Sequence, residues 1–293
     1  MQPAALTLAF GPILPLGPLG PTASVRLETL GIALALLVAI LLAAWIGRRT
    51  PAIGPYVPAP GLRPDDLVFL LIGAVPGAVL GGRLGYVLDH LEFYRSNPGL
   101  IADFSQGGLA LTLAVPLGIA SAAAIGRLIG APLTRWLHAT AVPLLVALAL
   151  GKLAGVLGAT GQGLPGDLPW ATAYAGPGPW GSLAPDIAAN PSQVYEAILV
   201  GLAIVGLFVA ARSEVVARRD GGAMFVALAL WAMARFVVAF TWRDPVAIGP
   251  LRVDQVLSLL LLALAVLGVV ERWRASSLAP GWGDPAAGVE PAE

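Results

Sequence analysis

The sequence predicts an all-α, polytopic membrane protein with about seven transmembrane helices, the N-terminus outside and the C-terminus cytoplasmic. Three observations carry this. First, 57% of the 293 residues are hydrophobic and only 12% are charged, whereas a soluble domain carries about a quarter charged residues. Mean hydropathy is +0.82. Second, the apolar residues fall into seven stretches, each long enough to span roughly 30 Å of hydrocarbon, which takes about 20 residues. Hydrocarbon offers no partner to open backbone groups, so such stretches must be helices. Third, arginine is distributed asymmetrically. One set of loops and helix ends carries Arg48, Arg49, Arg63, Arg127, Arg135, Arg212, Arg218, Arg219, Arg272 and Arg274, ten in all, against four on the other set, Arg26, Arg95, Arg243 and Arg252. The arginine-rich side is the cytoplasmic one.

Residues 1–27 form an N-terminal extracytoplasmic or interfacial segment, apolar but broken by Pro12, Pro15, Pro18 and Pro21. No basic region precedes it and no small-residue cleavage site follows. It therefore reads as a surface segment, not a signal peptide. The transmembrane domain covers residues 28–274, with spans near Glu28–Gly47, Leu67–Leu88, Gly108–Gly130, Trp136–Ala159, Ser192–Arg212, Gly222–Trp242 and Leu251–Trp273. Pro76 and Pro116 lie inside two of them, which membrane helices tolerate. The connection 160–190 is outside. It is rich in Gly and Pro, and its Trp170, Tyr174 and Trp180 suit a membrane–water interface. Residues 275–293 read as a disordered cytoplasmic tail.

Composition also excludes. Formal net charge is zero, so no bulk field argues for nucleic acid. There is no cysteine and there are only two histidines, His90 and His138, which argues against a thiolate nucleophile or a metal site. No cofactor is implied.

Three cations fall inside apolar runs: Arg83, Lys152 and Arg235. A charge at bilayer depth costs roughly 3 kcal/mol, so by default it faces the protein interior and marks function. Arg83 sits in Gly81-Gly82-Arg83-Leu84-Gly85-Tyr86, one turn from Tyr86, among glycines that allow close approach of a helix or a ligand. Its alternative is to snorkel to the headgroups. Lys152 has the same alternative. Arg235 has another, a structural ion pair with Glu196. Glu196 closes Asn190-Pro191-Ser192-Gln193-Val194-Tyr195-Glu196, which starts a helix with Asn190 as a plausible N-cap; a capping role alone is its alternative. Asp254, Gln255 and Ser258 open the last helix, and Gln255 and Ser258 are spaced to bond across helices. Three cations with one or two acids leave a net positive pocket, suited to an anionic phospholipid headgroup.

In these segments the chain resembles the bacterial prolipoprotein diacylglyceryl transferase family, from roughly Gly11 to Arg274. Gly82–Tyr86 is similar to that family's Gly-Arg-x-Gly-Tyr. Gln106-Gly107-Gly108 is similar to its Asp-Gly-Gly, and Gly151-Lys152 through Gly163 to its Gly-Arg-x-Gly-Asn signature and following glycine. Asn190–Glu196 is similar to its His-Pro-Ser-Gln-x-Tyr-Glu. Arg235 falls on its essential arginine, and Gln255 and Ser258 on its Gln-x-x-Ser. The resemblance implies transfer of diacylglycerol from phosphatidylglycerol to the cysteine thiol of a lipoprotein precursor (the lipobox cysteine) by a multi-pass protein of the bacterial plasma (inner) membrane. Arg235, Lys152 and Glu196 would be catalytic. Arg83, Tyr86, Gly107, Gly108, Gly163, Asn190, Gln193 and Gln255 would bind substrate.

The chain departs from the pattern at several positions. Thr112 stands where the family has histidine, and Lys152 replaces the signature arginine. Gly155 replaces its asparagine and Thr160 an acid of that segment. Asn190 replaces the His-Pro histidine, Ala239 stands where a glutamate is expected, and a tyrosine is missing near Thr29. These departures leave a second reading open: an inactive member of the family that binds anionic phospholipid or a lipoprotein signal segment. A small transporter, the third class, lacks an inverted repeat.

Overall fold

A computed structural model describes residues 6–9, 13–15, 24–50, 62–103, 108–175, 187–217 and 221–277. Its main elements are helices α1 (Leu27–Arg49), α2 (Pro64–Asp89), α4 (Leu111–Leu128), α5 (Leu133–Gly155), α6 (Ser192–Ala210), α8 (Gly222–Val238) and α9 (Val253–Ser277). Short helices α3 (Leu91–Ser96) and α7 (Glu214–Ala217) connect them, and 3-10 turns at Val156–Gly158 and Ala239–Thr241 extend α5 and α8. The seven long helices are each long and apolar enough to cross a membrane, so the chain is a multi-pass, all-α membrane protein. Their bounds differ from the expected ones by a few residues. The last helix runs three residues into the expected tail, and 278–293 lie outside the described residues. Pro143, inside α5 and buried, is a third intrahelical proline beside Pro76 and Pro116.

Large apolar side chains such as Leu34, Leu41, Leu80, Leu202 and Leu264 point outward, as a lipid-facing surface requires. The inside is built from small residues. Ala141, Ala203, Ala227 and Ala232 pack with Leu145, Val200 and Trp231 where α5, α6, α8 and α9 meet. Apolar attraction between helices is weak in lipid, so close backbone approach carries the packing instead.

That approach is closest between α2 and α4. Gly73, Gly77, Gly81 and Gly85 recur every fourth residue and place a bare stripe of α2 against α4. A Cβ on Gly77 would overlap the Leu117 carbonyl, one on Gly81 the Leu113 carbonyl, and one on Gly85 would lie 2.9 Å from the Ala110 Cβ. Ser121 Oγ donates across the same seam to the Gly73 carbonyl at 2.5 Å. α1 packs against α5, and α8 against both α6 and α9.

The N-terminal segment departs from expectation by forming strands. β1 (Leu6–Ala9) pairs in parallel with β4 (Thr172–Ala175), and β2 (Ile13–Pro15) pairs antiparallel with β3 (Ser24–Arg26). Pro15 occupies a strand end, where no ladder donor is required. A short hairpin, β5 (Val246–Ile248) with β6 (Leu251–Arg252), precedes α9.

Much of the connection after α5 is likewise folded. Tyr174, expected at the membrane interface, is buried, and its hydroxyl donates to the Val156 carbonyl at 2.7 Å. Burial pushes the Tyr174 phenol up, partly offset by the adjacent Gln193 amide. Trp170 is exposed and donates to the Tyr195 hydroxyl at 2.6 Å, while Trp180 lies outside the described residues.

Candidate functional site

Five helices contribute one polar side chain each to a buried centre at the arginine-poor end of the bundle. Thr112 comes from the first turn of α4, Lys152 from the last turn of α5 and Glu196 from the second turn of α6. Arg235 comes from the last turn of α8 and Asp254 from the first turn of α9. Arg235 is the hub. One terminal nitrogen donates to Glu196 Oε1 at 2.8 Å and the other to Asp254 Oδ2 at 2.8 Å. Its Nε donates to Thr112 Oγ1 at 3.0 Å. The Thr112 hydroxyl in turn donates to Asp254 Oδ1. Lys152 Nζ lies 2.7 Å from Glu196 Oε2, so each oxygen of that carboxylate holds a different cation.

The guanidinium is 3% exposed and the Glu196 side chain 1%, against 20% for Lys152. Removing ions from water costs several kcal/mol each, and only this degree of mutual satisfaction offsets it. Trp242 closes one side, its ring 4.6 Å from the Arg235 Cζ and 5.7 Å from Lys152 Nζ, and Trp231 lies 5.4 Å from the guanidinium. Two of the five guanidinium N–H groups and two of the three ammonium N–H groups remain after these bonds.

That balance corrects one expectation. The pocket was expected to be net positive, but Glu196 and Asp254 offset Arg235 and Lys152. Asp254 had been placed only as a residue opening the last helix; folding brings it onto Arg235. The snorkelling alternatives for Arg83 and Lys152 do not hold either. Lys152 turns inward to Glu196, and Arg83 is 4% exposed. The ion pair of Arg235 with Glu196 is present.

The three cations do not converge on one point. Arg83 donates from Nε to the Ile101 carbonyl at 2.8 Å and from a terminal nitrogen to the Leu100 carbonyl at 2.6 Å, pinning the turn after α3. Its Cζ lies 5.2 Å from the Tyr94 ring and 5.9 Å from the Tyr86 ring. Tyr86 stacks on His90 at 4.2 Å.

The other expected binding residues separate into two kinds. Gly108 borders the Arg83–Tyr86 group: its φ is +79°, and a Cβ there would collide with the Tyr86 ring. A Gly108→Ala variant is therefore expected to displace Tyr86 and to lower the thermal midpoint in detergent by a few degrees, checked by thermal unfolding. Gly107 lies outside the described residues. Gly163, Asn190, Gln193 and Gln255 lie apart from Arg83 and Tyr86 in sequence, and their surroundings are local. Gly163 donates its N–H to the Asn190 carbonyl at 2.8 Å and has Ser192 and Thr241 where a Cβ would go. The Asn190 amide donates to the Leu164 carbonyl at 2.9 Å. It is not the expected N-cap, because α6 starts at Ser192 after Pro191 with no side-chain cap. Gln193 is buried beside Tyr174. Gln255 accepts the Arg252 N–H at 2.9 Å and donates to the Phe236 carbonyl at 3.3 Å, joining α9 to α8.

An apolar groove of ≈ 160 Å³, lined by residues including Leu70, Ala74, Ile119, Trp136 and Leu144, opens between α2, α4 and α5, away from the charged centre. No group of His, Asp and Glu able to hold a metal occurs among the described residues.

Comparison with known proteins assigns the family. The family model described as prolipoprotein diacylglyceryl transferase matches residues 19–271. A phosphatidylglycerol–prolipoprotein diacylglyceryl transferase of Ruegeria pomeroyi is 33% identical over 239 residues, 73% of this chain and 74% of the relative. Proteins of the same name are 28% identical over 278 residues in Trichormus variabilis, covering 90% of this chain and 92% of the relative, and 31% identical over 223 residues in Geobacter sulfurreducens, covering 72% and 80%. The chain belongs to the prolipoprotein diacylglyceryl transferase family.

Proposed function

We propose, with that membership as the premise, that the chain is a bacterial plasma-membrane enzyme that moves diacylglycerol from phosphatidylglycerol to the cysteine thiol of a lipoprotein precursor. Its N-terminus lies outside and its C-terminus in the cytoplasm, an orientation supported by the arginine asymmetry. The observation that carries the reading is the buried Arg235–Glu196–Lys152 bridge. It stands on the positions where the family resemblance puts its essential residues, and it lies at the end of the bundle that faces the outer leaflet.

In this reading Arg83 and Tyr86 border the lipid headgroup, and Lys152, the most exposed member of the centre, meets the phosphate as a point charge. Arg235 directs its remaining N–H groups at the phosphate oxygen on which charge develops. Glu196 holds both cations in place before substrate arrives. Fixed donors in a water-poor site stabilise such charge without reorganising, which is the largest single contribution in many enzymes. Sulfur attacks the glyceryl carbon, the carbon–oxygen bond to phosphate breaks, and glycerol phosphate leaves with the bonding pair. The chain has no cysteine of its own, in keeping with a thiol supplied by the substrate. The relatives compared above bear transferase names, and no feature of the geometry favours the inactive lipid-binding reading.

The test is direct. Purified protein in phosphatidylglycerol micelles, given a lipobox peptide, is expected to add a diacylglyceryl mass to its cysteine. An unmodified cysteine under conditions in which one of the relatives works would overturn the proposal.

A further inference from the structure

Lys152 is the one lysine in the sequence; the other permanent cations are arginines. It is also the loosest member of the centre. Arg235 is held by Glu196, Asp254 and Thr112 at once. Among the described residues Lys152 has a single ion pair, with Glu196 Oε2, and its side chain is 20% exposed. An ammonium is a strongly hydrated point charge on a flexible four-carbon stem. One ion pair leaves it able to turn toward water and away from an incoming phosphate.

Trp242 supplies a second hold. It follows the 3-10 turn Ala239–Thr241 that extends α8 past Arg235, and it is buried. It clusters with Val238 and Ala239, and Tyr195 and Leu199 of α6 pack against that cluster. The residue before it is tied down as well. The Thr241 carbonyl accepts the Leu164 N–H at 2.7 Å, and the Thr241 hydroxyl lies 2.6 Å from Ser192 Oγ, on the first residue of α6. The ring is thus set by α8 and α6 together, not by the cations. Its centroid lies 5.7 Å from Lys152 Nζ and 4.6 Å from Arg235 Cζ. Both fall within the roughly 6 Å over which a ring face attracts a cation.

The kind of partner matters here. Two acids already face two cations in the centre. A third carboxylate would make it net negative and would accept N–H groups that a phosphate needs. An aromatic face attracts both cations, adds no charge and leaves those N–H groups open. We propose that Trp242 is a positioning residue for transfer: its ring holds the Lys152 ammonium beside Arg235 and keeps the free donors of both for the lipid phosphate.

This role rests on the transferase reading, but one of its two readouts needs no turnover. Because the chain has one lysine, an amine-reactive succinimidyl ester followed by peptide mass spectrometry reports on the Lys152 side chain alone. Labelling is measured on the full chain in detergent for the unaltered protein, Trp242→Phe, Trp242→Leu and Trp242→Met, the last a second ringless variant should the Leu variant fold poorly. The ringless variants are expected to label Lys152 several-fold faster, and phosphatidylglycerol to protect it less, while the Phe variant stays near the unaltered rate. In the lipobox-peptide assay the ringless variants are expected to lose on the order of tenfold in kcat/KM for phosphatidylglycerol, with most of it kept by Trp242→Phe. Lys152 labelling unchanged in the ringless variants, full transfer by either of them, or a Phe variant as slow as they are would each overturn the assignment. No product from the unaltered protein, with labelling still dependent on the ring, would instead overturn the transferase reading.

Discussion

Arg235→Ala is expected to abolish transfer and to lower the thermal midpoint in detergent by on the order of 10 °C. The size follows from what the side chain leaves behind. Arg235 is the partner of two buried carboxylates and one buried hydroxyl. Without it, Asp254 keeps only the Thr112 hydroxyl and Glu196 keeps only Lys152. Stranding buried charges this way costs about 3–5 kcal/mol, and each kcal/mol lowers the midpoint of a chain of this size by a few degrees. Arg235→Lys is expected to recover part of the stability and little of the activity. An ammonium keeps the charge but not the planar fork that reaches Glu196, Asp254 and Thr112 at once. Arg212→Ala, at an exposed position on the other end, is the control. Equal midpoints for Arg235→Ala and Arg212→Ala would remove the centre from any account of the fold.

Gly81→Leu is expected to be at least as damaging, for a different reason. The atom in the way is the Leu113 carbonyl, which belongs to the backbone of α4 and has no rotamer to change. α2 and α4 must then separate, whereas overpacking that side chains alone relieve costs about 1–3 kcal/mol. Separation also moves the site, because Arg83 and Tyr86 ride on α2 and Thr112 on α4. Loss of both folded yield and phospholipid binding is the expected outcome, measured by detergent-solubilised monodisperse protein and lipid titration. Gly151→Ala supplies the contrast: no atom lies within 4 Å of a Cβ there, so it should be neutral or mildly stabilising.

These two variants also mark what the sequence can and cannot disclose. Hydropathy finds the spans because lipid selects for apolar length, and the seven helices fall where the apolar runs do. Pairing is another matter. Glu196 was legible as a partner for Arg235 because acids inside membrane helices are scarce, so few candidates existed. Asp254 and Thr112 were each on view, one as a helix-opening acid and the other as a replaced histidine. Their bond joins positions 142 residues apart, and only the packing of α4 against α9 reveals it. The sign of the pocket was misjudged for a related reason: Arg83, counted among its cations, is held by the Leu100 and Ile101 carbonyls instead, which leaves two cations against two acids. The glycine ladder of α2 was written at intervals of four, but a spacing names a sticky face without naming what it meets. The N-terminal strands escaped because each is three or four residues long, and β1 gains its partner from a segment more than 160 residues away.

Asn190 and Gln255 carry a related lesson. Both match polar positions in the family's motifs, and both direct their side chains to backbone carbonyls or N–H groups nearby. Their positions hold the ends of α6 and α9, and so place Glu196 and Asp254. Their replacement is expected to act through the geometry of the centre.

The most direct measurement is the mass of the lipobox peptide cysteine after incubation of Glu196→Gln with phosphatidylglycerol, beside the unaltered protein. Glutamine keeps the shape and removes the charge that joins Lys152 to Arg235. The unaltered protein should add a diacylglyceryl group and the variant should leave the thiol bare. A variant that modifies the peptide at the unaltered rate would contradict the claim that this buried bridge is where transfer occurs.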